Sequence, residues 1–241
     1  MSKQHIIVFA SGTRDGSGSG FENLVEASRE GTLDADIVAV VSNHEYGGVR
    51  QRAERLGIPF VYFSGPYDAE HYSSILSSYA EASKDRQNTR IEKSELWVAL
   101  SGWLKKVEGL DPRKTFNIHP ALLSQLGGRF GGPGMYRHRV HEAVSDALER
   151  GGITESGVTM HFVTDMYDRG PAFFEYHVPL EKGMSAEDIA KAVNAAEHEW
   201  QPKITNMVVH GRIRWDGKDP ASLEVPSDYE FLPASTAEVH D

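Results

Sequence analysis

Asn117 and His119 stand two residues apart at the end of the short apolar run TFNIHPALL, with Pro120 straight after them. In a β-strand alternate side chains share a face, so the pair would project side by side, and a proline without an N–H would end the ladder there. An amide offers N–H donors and an imidazole donates or accepts according to its protonation, so the two could serve a reacting oxygen or nitrogen together. A third group is needed to orient the imidazole. The later stretch HFVTDMYDRGP supplies His161, Asp165 and Asp168, the last in a turn before Arg169, Gly170 and Pro171. A carboxylate next to His119 would orient the ring and favour its protonated form, which suits proton transfer near neutral pH. Taken singly, each residue also has a plain reading: a hydrogen-bonded histidine at a strand end and an aspartate in a turn.

A second chemistry-bearing segment is the glycine-rich stretch SGTRDGSGSGFENL, between a strand-like run and a helix-like one. Its backbone N–H groups and the helix N-terminus could cradle a phosphate over Gly12, Thr13, Arg14, Gly16, Ser17, Gly18, Ser19 and Gly20. It matches neither the Walker pattern nor a strict G-x-G-x-x-G. The next strand-like run ends in VVSN, so Asn43 stands where a dinucleotide-binding fold places its ribose-binding acid, which disfavours a nicotinamide cofactor. A flexible loop is the bland alternative. WLKK, Trp103 to Lys106, reads either as an exposed ligand-binding loop or as a solvated basic turn. The eleven histidines raise the question of metal, yet His138, His141 and Glu142 on one helix match no zinc spacing and lack a second cluster, so no metal is expected.

The elements that would hold these residues alternate. Strand-like runs rich in β-branched and aromatic residues are HIIVFAS, ADIVAVVSN, IPFVYFS, ELWVALSG and TFNIHP, and helix-period stretches FENLVEASREG, GGVRQRAERLG and DAEHYSSILSSYAEASKD lie among them. That rhythm predicts an α/β fold with a doubly wound, mostly parallel central sheet, in which ligands sit beyond the carboxyl ends of the strands. After Pro120 come a Gly-rich loop, GGRFGGPGMY, a helix in RHRVHEAVSDALERGG, and two strands around a turn. A long helix follows from an N-cap at Ser185, interrupted at Pro202, and then a last short strand, RIRWDG. One domain over residues 1–217 is expected, with halves of about 1–115 and 116–217, followed by a poorly ordered tail at 218–241.

Composition narrows the class. The 241 residues suffice for one sizeable core, and 39% hydrophobic content is that of an ordinary globular chain. A formal charge of −10 argues against nucleic acid bound through a general basic field. The absence of cysteine excludes disulfides, thiolate catalysis and Cys-ligated zinc. The N-terminal run does not read as a signal peptide, and no segment is long and apolar enough to span a bilayer, so a cytoplasmic protein with no membrane partner is expected.

Together, in this order and spacing, TFNIHPALL, GVTMHFVTDMYDRGP and AEHEWQP resemble the glycinamide ribonucleotide formyltransferase family of purine biosynthesis, from His5 to about Trp215. The resemblance implies a Rossmann-like formyltransferase fold, with 10-formyltetrahydrofolate as co-substrate and glycinamide ribonucleotide as acceptor. It assigns catalysis to Asn117, His119 and Asp168, with His161 in support, and the acceptor's phosphate to the glycine-rich turn. Glu197 would meet the acceptor's amine end. The folate would lie against Trp103, Leu104, Lys105 and Val107 and against Val163, Thr164 and Asp165. A homodimer is compatible with it.

The chain also departs from that family. Its phosphate turn is several residues longer and contains Arg14 and Asp15; SGPYDAEHY lacks an arginine that members often place there, for which Arg14 is a candidate replacement. Ser124 stands where a proline is usual. These departures keep two alternatives in play: another amine acceptor, such as an amino sugar nucleotide, or a non-catalytic ligand-binding homologue. A hydrolase of formyltetrahydrofolate is less expected, because those relatives carry an extra N-terminal domain. The transfer-RNA formyltransferases carry an extra C-terminal domain and a basic face.

Overall fold

In β1 (Gln4–Phe9), Ile6 and Val8 pack into one buried cluster while Ile7 and Phe9 pack into another. A strand buried on both faces must be apolar at every position rather than at alternate ones, which is why these runs are continuous. The computed structural model describes residues 3–12, 17–87, 91–136 and 138–233. Its strands are β1, β2 (Ala35–Ser42), β3 (Phe60–Tyr62), β4 (Leu96–Ser101), β5 (Thr115–His119), β6 (Glu155–Phe162) and β7 (Ala172–Pro179). They form one sheet in the order β3-β2-β1-β4-β5-β6-β7. Pairings from β3 across to β5 are parallel, and β5–β6 and β6–β7 are antiparallel.

The helices are α1 (Ser19–Glu30), α2 (Gly48–Leu56), α3 (Ala69–Gln87), α4 (His138–Glu149) and α5 (Ala186–Val209). Apolar residues of α1, α2, α4 and α5 share the cluster that holds Ile6 and Val8, and Tyr72, Leu76 and Ala80 of α3 share the one that holds Ile7 and Phe9. Helices on both faces of a mostly parallel sheet make this the expected doubly wound α/β fold. The chain leaves β1 for β2 on one side and returns to β4 on the other. The loops after β1 and β4 therefore part, and the crevice between them is the natural ligand site. No described helix is long and apolar enough to cross a membrane.

Three expectations are corrected. The long helix is not interrupted at Pro202: α5 runs through it. A proline in a helix leaves the carbonyl four residues earlier without its donor. Here that carbonyl, on His198, accepts instead from Asn23 Nδ2 of α1 at 2.8 Å. RIRWDG joins no sheet, and its contact is a single antiparallel bridge between Arg214 and Glu224. The segment expected to be a disordered tail packs, as far as it is described, against the sheet's edge. The Glu175 N–H of edge strand β7 donates to the Phe231 carbonyl at 2.7 Å, and the Phe231 ring lies 4.8 Å from that of Trp200 and 5.4 Å from that of Phe174. An open edge with an aromatic strip beside it is a liability that a covering segment removes. The polar composition of the segment hid its two aromatic anchors, Tyr229 and Phe231.

If Phe231 anchors this cover, Phe231→Ala should destabilise the protein by about 1–3 kcal/mol, the range for truncating a large, partly buried apolar side chain. Urea unfolding would read this as a lower midpoint at unchanged slope, and an unchanged midpoint would show that the segment contributes nothing.

Candidate active site

Asn117 and His119 project from the carboxyl end of β5 as the alternation of the strand requires. Asn117 Nδ2 lies 3.1 Å from His161 Nε2, and His161 Nδ1 lies 2.8 Å from the Phe162 carbonyl. The Nδ1–H of His161 donates to that carbonyl, so Nε2 is the ring atom that meets the Asn117 amide, and the amide keeps an N–H to face a ligand. His119 is 5% exposed, and its Nε2–H donates to the Phe130 carbonyl at 2.7 Å. Its Nδ1 faces Asp168 Oδ2 at 3.9 Å, while Asp168 Oδ1 lies 3.5 Å from His161 Nε2. Asp168 Oδ2 accepts the Gly132 N–H at 2.8 Å. The carboxylate thus ties the loop after β6 to the glycine-rich loop before α4. Asp168 takes a φ of 49°, a left-handed conformation that aspartate tolerates better than most residues.

The electrostatics follow from burial and charge. For Asp168, burial raises the carboxyl, yet the adjoining His161 and His119 rings and the Gly132 N–H outweigh it and hold the group well below the usual carboxylate range. For His119 the balance is reversed. Burial pushes the ring down, and Asp168 and the Phe130 carbonyl only partly oppose it. The expectation of an imidazole held protonated by its acid is therefore corrected: a ring this enclosed loses more by desolvation than a carboxylate 3.9 Å away returns. His141, on α4 nearby, is pushed down to about 4, chiefly by burial. Burial raises the Glu197 carboxyl to about 7, with Asn194 Nδ2 donating to it at 3.3 Å.

These groups open on one cavity of about 680 Å³, which Asn117, His119, Asp168, Glu197, Trp103 and Leu104 line together with Ser17, Gly18, Ser19 and Gly20. The last four belong to the turn entering α1. Gly18 caps that helix at φ 101° and offers no side chain to its first-turn N–H groups. Such a terminus carries partial positive charge and open donors. The turn is braced from behind by Arg52, which donates to the Ser17 carbonyl at 3.0 Å and to Glu22 at 2.6 Å. A Cβ at Gly48 would lie 2.6 Å from the Ser17 carbonyl oxygen, so the close approach of α2 needs a glycine there.

Not every expected residue reaches this cavity. Gly12 spends its N–H on Ser42 Oγ at 3.2 Å, and Thr13, Arg14 and Gly16 lie outside the described residues. Trp103 is buried rather than exposed. Its indole donates to Tyr72 Oη at 3.0 Å amid an aromatic cluster with Phe9, Phe63 and Tyr67. It lies in the loop after β4, as expected, and forms part of the cavity wall. Lys105 Nζ lies 5.1 Å from the centre of the Tyr67 ring. Val107, Val163, Thr164 and Asp165 gather instead around a second, smaller cavity of about 220 Å³. His161 stands beneath Asn117 and Asp168 as their support. Residues not singled out from the sequence complete the main cavity: Ser101 at the end of β4, and Asn194, His198 and Gln201, which share a face of α5 with Glu197. Their spacing of three to four residues was the available signal.

Residues 4–205 match the profile of the family described as Formyl transferase. The chain is 33% identical over 218 residues to the chloroplastic phosphoribosylglycinamide formyltransferase of Vigna unguiculata, a match that covers 88% of this chain and 63% of that protein. It is 28% identical over 206 residues to the phosphoribosylglycinamide formyltransferase of Bacillus subtilis (strain 168), covering 84% of this chain and 93% of that one. The crystal structure of glycinamide ribonucleotide transformylase 1 from Symbiobacterium toebii superposes with a TM-score of 0.71 at 24% identity, covering 92% of this chain and 94% of that one, which shows a shared fold.

Two pH effects follow. The depressed Asp168 carboxyl contributes stability that is full above its unfolded value near 4 and is lost as pH falls through the lower native value. Asp168→Asn should therefore cost about 1–3 kcal/mol at pH 7, with the difference from wild type shrinking below about pH 4. Urea midpoints at neutral and acid pH would read it, and a difference independent of pH would refute it. Glu197 behaves oppositely. Its native carboxyl keeps a proton that the unfolded chain loses, so its contribution to stability falls as pH rises from about 4 to about 7. Glu197→Gln should flatten that fall and make the protein relatively more stable at pH 8 than at pH 5, measured as the difference in thermal midpoint from wild type.

Proposed function

This chain belongs to the formyl transferase family, and on that premise we propose that it moves a formyl group from 10-formyltetrahydrofolate to the amine of glycinamide ribonucleotide, a step of purine biosynthesis. The observation that carries the reading is the convergence of Asn117, His119 and Asp168 in one cavity with an uncapped helix N-terminus. A formyl donor needs hydrogen bonds for a developing oxyanion and a route for one proton, and a nucleotide needs an anion site.

In this mechanism the acceptor's amine attacks the formyl carbon and the carbonyl π pair moves onto oxygen. The N–H of Asn117 that His161 does not take donates to that oxygen. His119, neutral in its buried resting state, has its Nε2–H on Phe130 and its lone pair on Nδ1, so Nδ1 takes the proton from the attacking nitrogen. The resulting imidazolium faces the Asp168 carboxylate, which stabilises the charge where it forms. The intermediate then expels the folate nitrogen, which receives the proton from His119. Glu197, with a carboxyl that titrates near neutrality, meets the acceptor's amine end. The first-turn N–H groups of α1 take its phosphate, and the pterin takes the smaller cavity beside Val107 and Val163. Cytoplasmic location fits soluble small-molecule substrates.

Turnover followed by the absorbance of deformylated folate, with and without glycinamide ribonucleotide, tests the proposal. Acceptor-dependent turnover is expected, and His119→Ala and Asn117→Ala should each lower kcat by about 10²–10³. Turnover that ignores the acceptor would make the protein a hydrolase. Turnover with an amino sugar nucleotide alone would keep the chemistry and replace the acceptor.

A further inference from the structure

Ser101 and Gln201 come from different elements, the end of β4 and the middle of α5, and meet on either side of Gly20 in the first turn of α1. A Cβ at Gly20 would lie 2.3 Å from Ser101 Oγ and 3.2 Å from Gln201 Oε1. Residue 20 is thus a glycine because two polar side chains occupy the space a larger residue would need. Ser101 is 8% and Gln201 1% exposed, and both line the main cavity. Within 3.5 Å neither side chain has a hydrogen-bond partner among the described residues, whereas Ser11 and Ser42, buried near the same crevice, accept from Leu104 and Gly12. A buried amide and hydroxyl left open toward a cavity cost stability unless a ligand or water satisfies them.

The chemistry of the pair limits what that ligand group is. Both side chains are neutral. A phosphate dianion only accepts hydrogen bonds, whereas the Ser101 hydroxyl and the Gln201 amide, both beside Gly20, can each donate and accept. A sugar hydroxyl satisfies both at once, donating to Gln201 Oε1 and accepting from the Ser101 hydroxyl. The α1 N–H groups beside it are the donors that a phosphate needs. We propose that Ser101 and Gln201 form a hydroxyl-reading subsite next to the phosphate turn, so that the cavity selects a sugar phosphate rather than a bare phosphate monoester. The proposal deepens the formyl-transfer reading, on which it rests for the identity of the acceptor, and names the part of the acceptor these two residues recognise.

Calorimetric titration of the full chain with ribose 5-phosphate and, separately, with inorganic phosphate tests it without turnover. Wild type should bind ribose 5-phosphate more tightly than phosphate. Gln201→Leu, nearly isosteric, and Ser101→Ala, a deletion of one oxygen, should each weaken ribose 5-phosphate about tenfold while changing phosphate affinity by less than about twofold. Thermal midpoints confirm that each variant is folded, and either variant alone suffices for the reading. Equal weakening of both ligands, no weakening of either, or wild-type affinity no greater for the sugar phosphate would overturn it. Failure of the two readings is separable. Loss of the sugar preference in the variants without any wild-type formyl transfer sinks only the reaction. Wild-type transfer to glycinamide ribonucleotide with the preference intact in both variants sinks only the subsite.

Discussion

The site depends on one buried carboxylate. Asp168 sits in a left-handed turn after β6, where its carboxylate accepts the N–H of Gly132 and lies beside two imidazoles, His119 and His161. The Gly132 N–H on that carboxylate, with the two rings beside it, brings the loop before α4, the end of β5 and the turn after β6 together at one group. Asn117 is tied to the same group, because its amide meets the His161 ring that stands beside the carboxylate. The order of dependence runs from the sheet register, which sets Asn117 opposite His161, to the charge, and from the charge to the loops.

The topology explains why the site is where it is. Reversal of strand order between β1 and β4 opens the crevice, and the turn into α1 lies on its floor with its N–H groups uncapped. A side chain at Gly18 could cap those donors, but its φ of 101° and the 2.9 Å approach of a Cβ to Val49 Cγ2 keep the position a glycine and leave the donors to a ligand. The brace behind the turn, Arg52 with Glu22, supplies order from the side away from the cavity. Rigidity and open donors are thereby separated between two faces of one loop.

The strands and the chemical pair were legible because a β-strand displays its alternation directly: Asn-x-His before a proline can only put both side chains on one face. What sequence patterns report poorly is compensation by partners far along the chain. Pro202 reads as a break because its missing bond is local, whereas the replacement comes from Asn23. The segment after residue 217 reads as disordered because its composition is polar, whereas two rings suffice to seat it on Trp200 and Phe174. The protonation of His119 reads one way from its neighbouring acid and the other way from its burial, and burial is a property of the whole fold. The Ser101 and Gln201 pair was invisible for the same reason, since neither residue is unusual until α5 lies across α1.

Ser124 shows how such compensation is built. Its N–H and its hydroxyl both donate to Glu175, at 3.0 and 2.6 Å, and the Thr159 hydroxyl lies 3.1 Å from the same carboxylate. Thr159 Oγ1 also lies 2.7 Å from the Ala121 carbonyl and accepts from the Leu123 N–H at 3.0 Å. A proline at position 124 would stiffen the chain by its ring and would offer neither donor. Here stiffness comes instead from a buried carboxyl group, 4% exposed, whose hydrogen bonds reach Ser124 directly and, through Thr159, Ala121 and Leu123. The turn that leaves β5 is therefore held from β6 and β7, the same antiparallel pair whose connecting turn carries Asp168 toward His119, so both sides of the imidazole take their position from one hairpin.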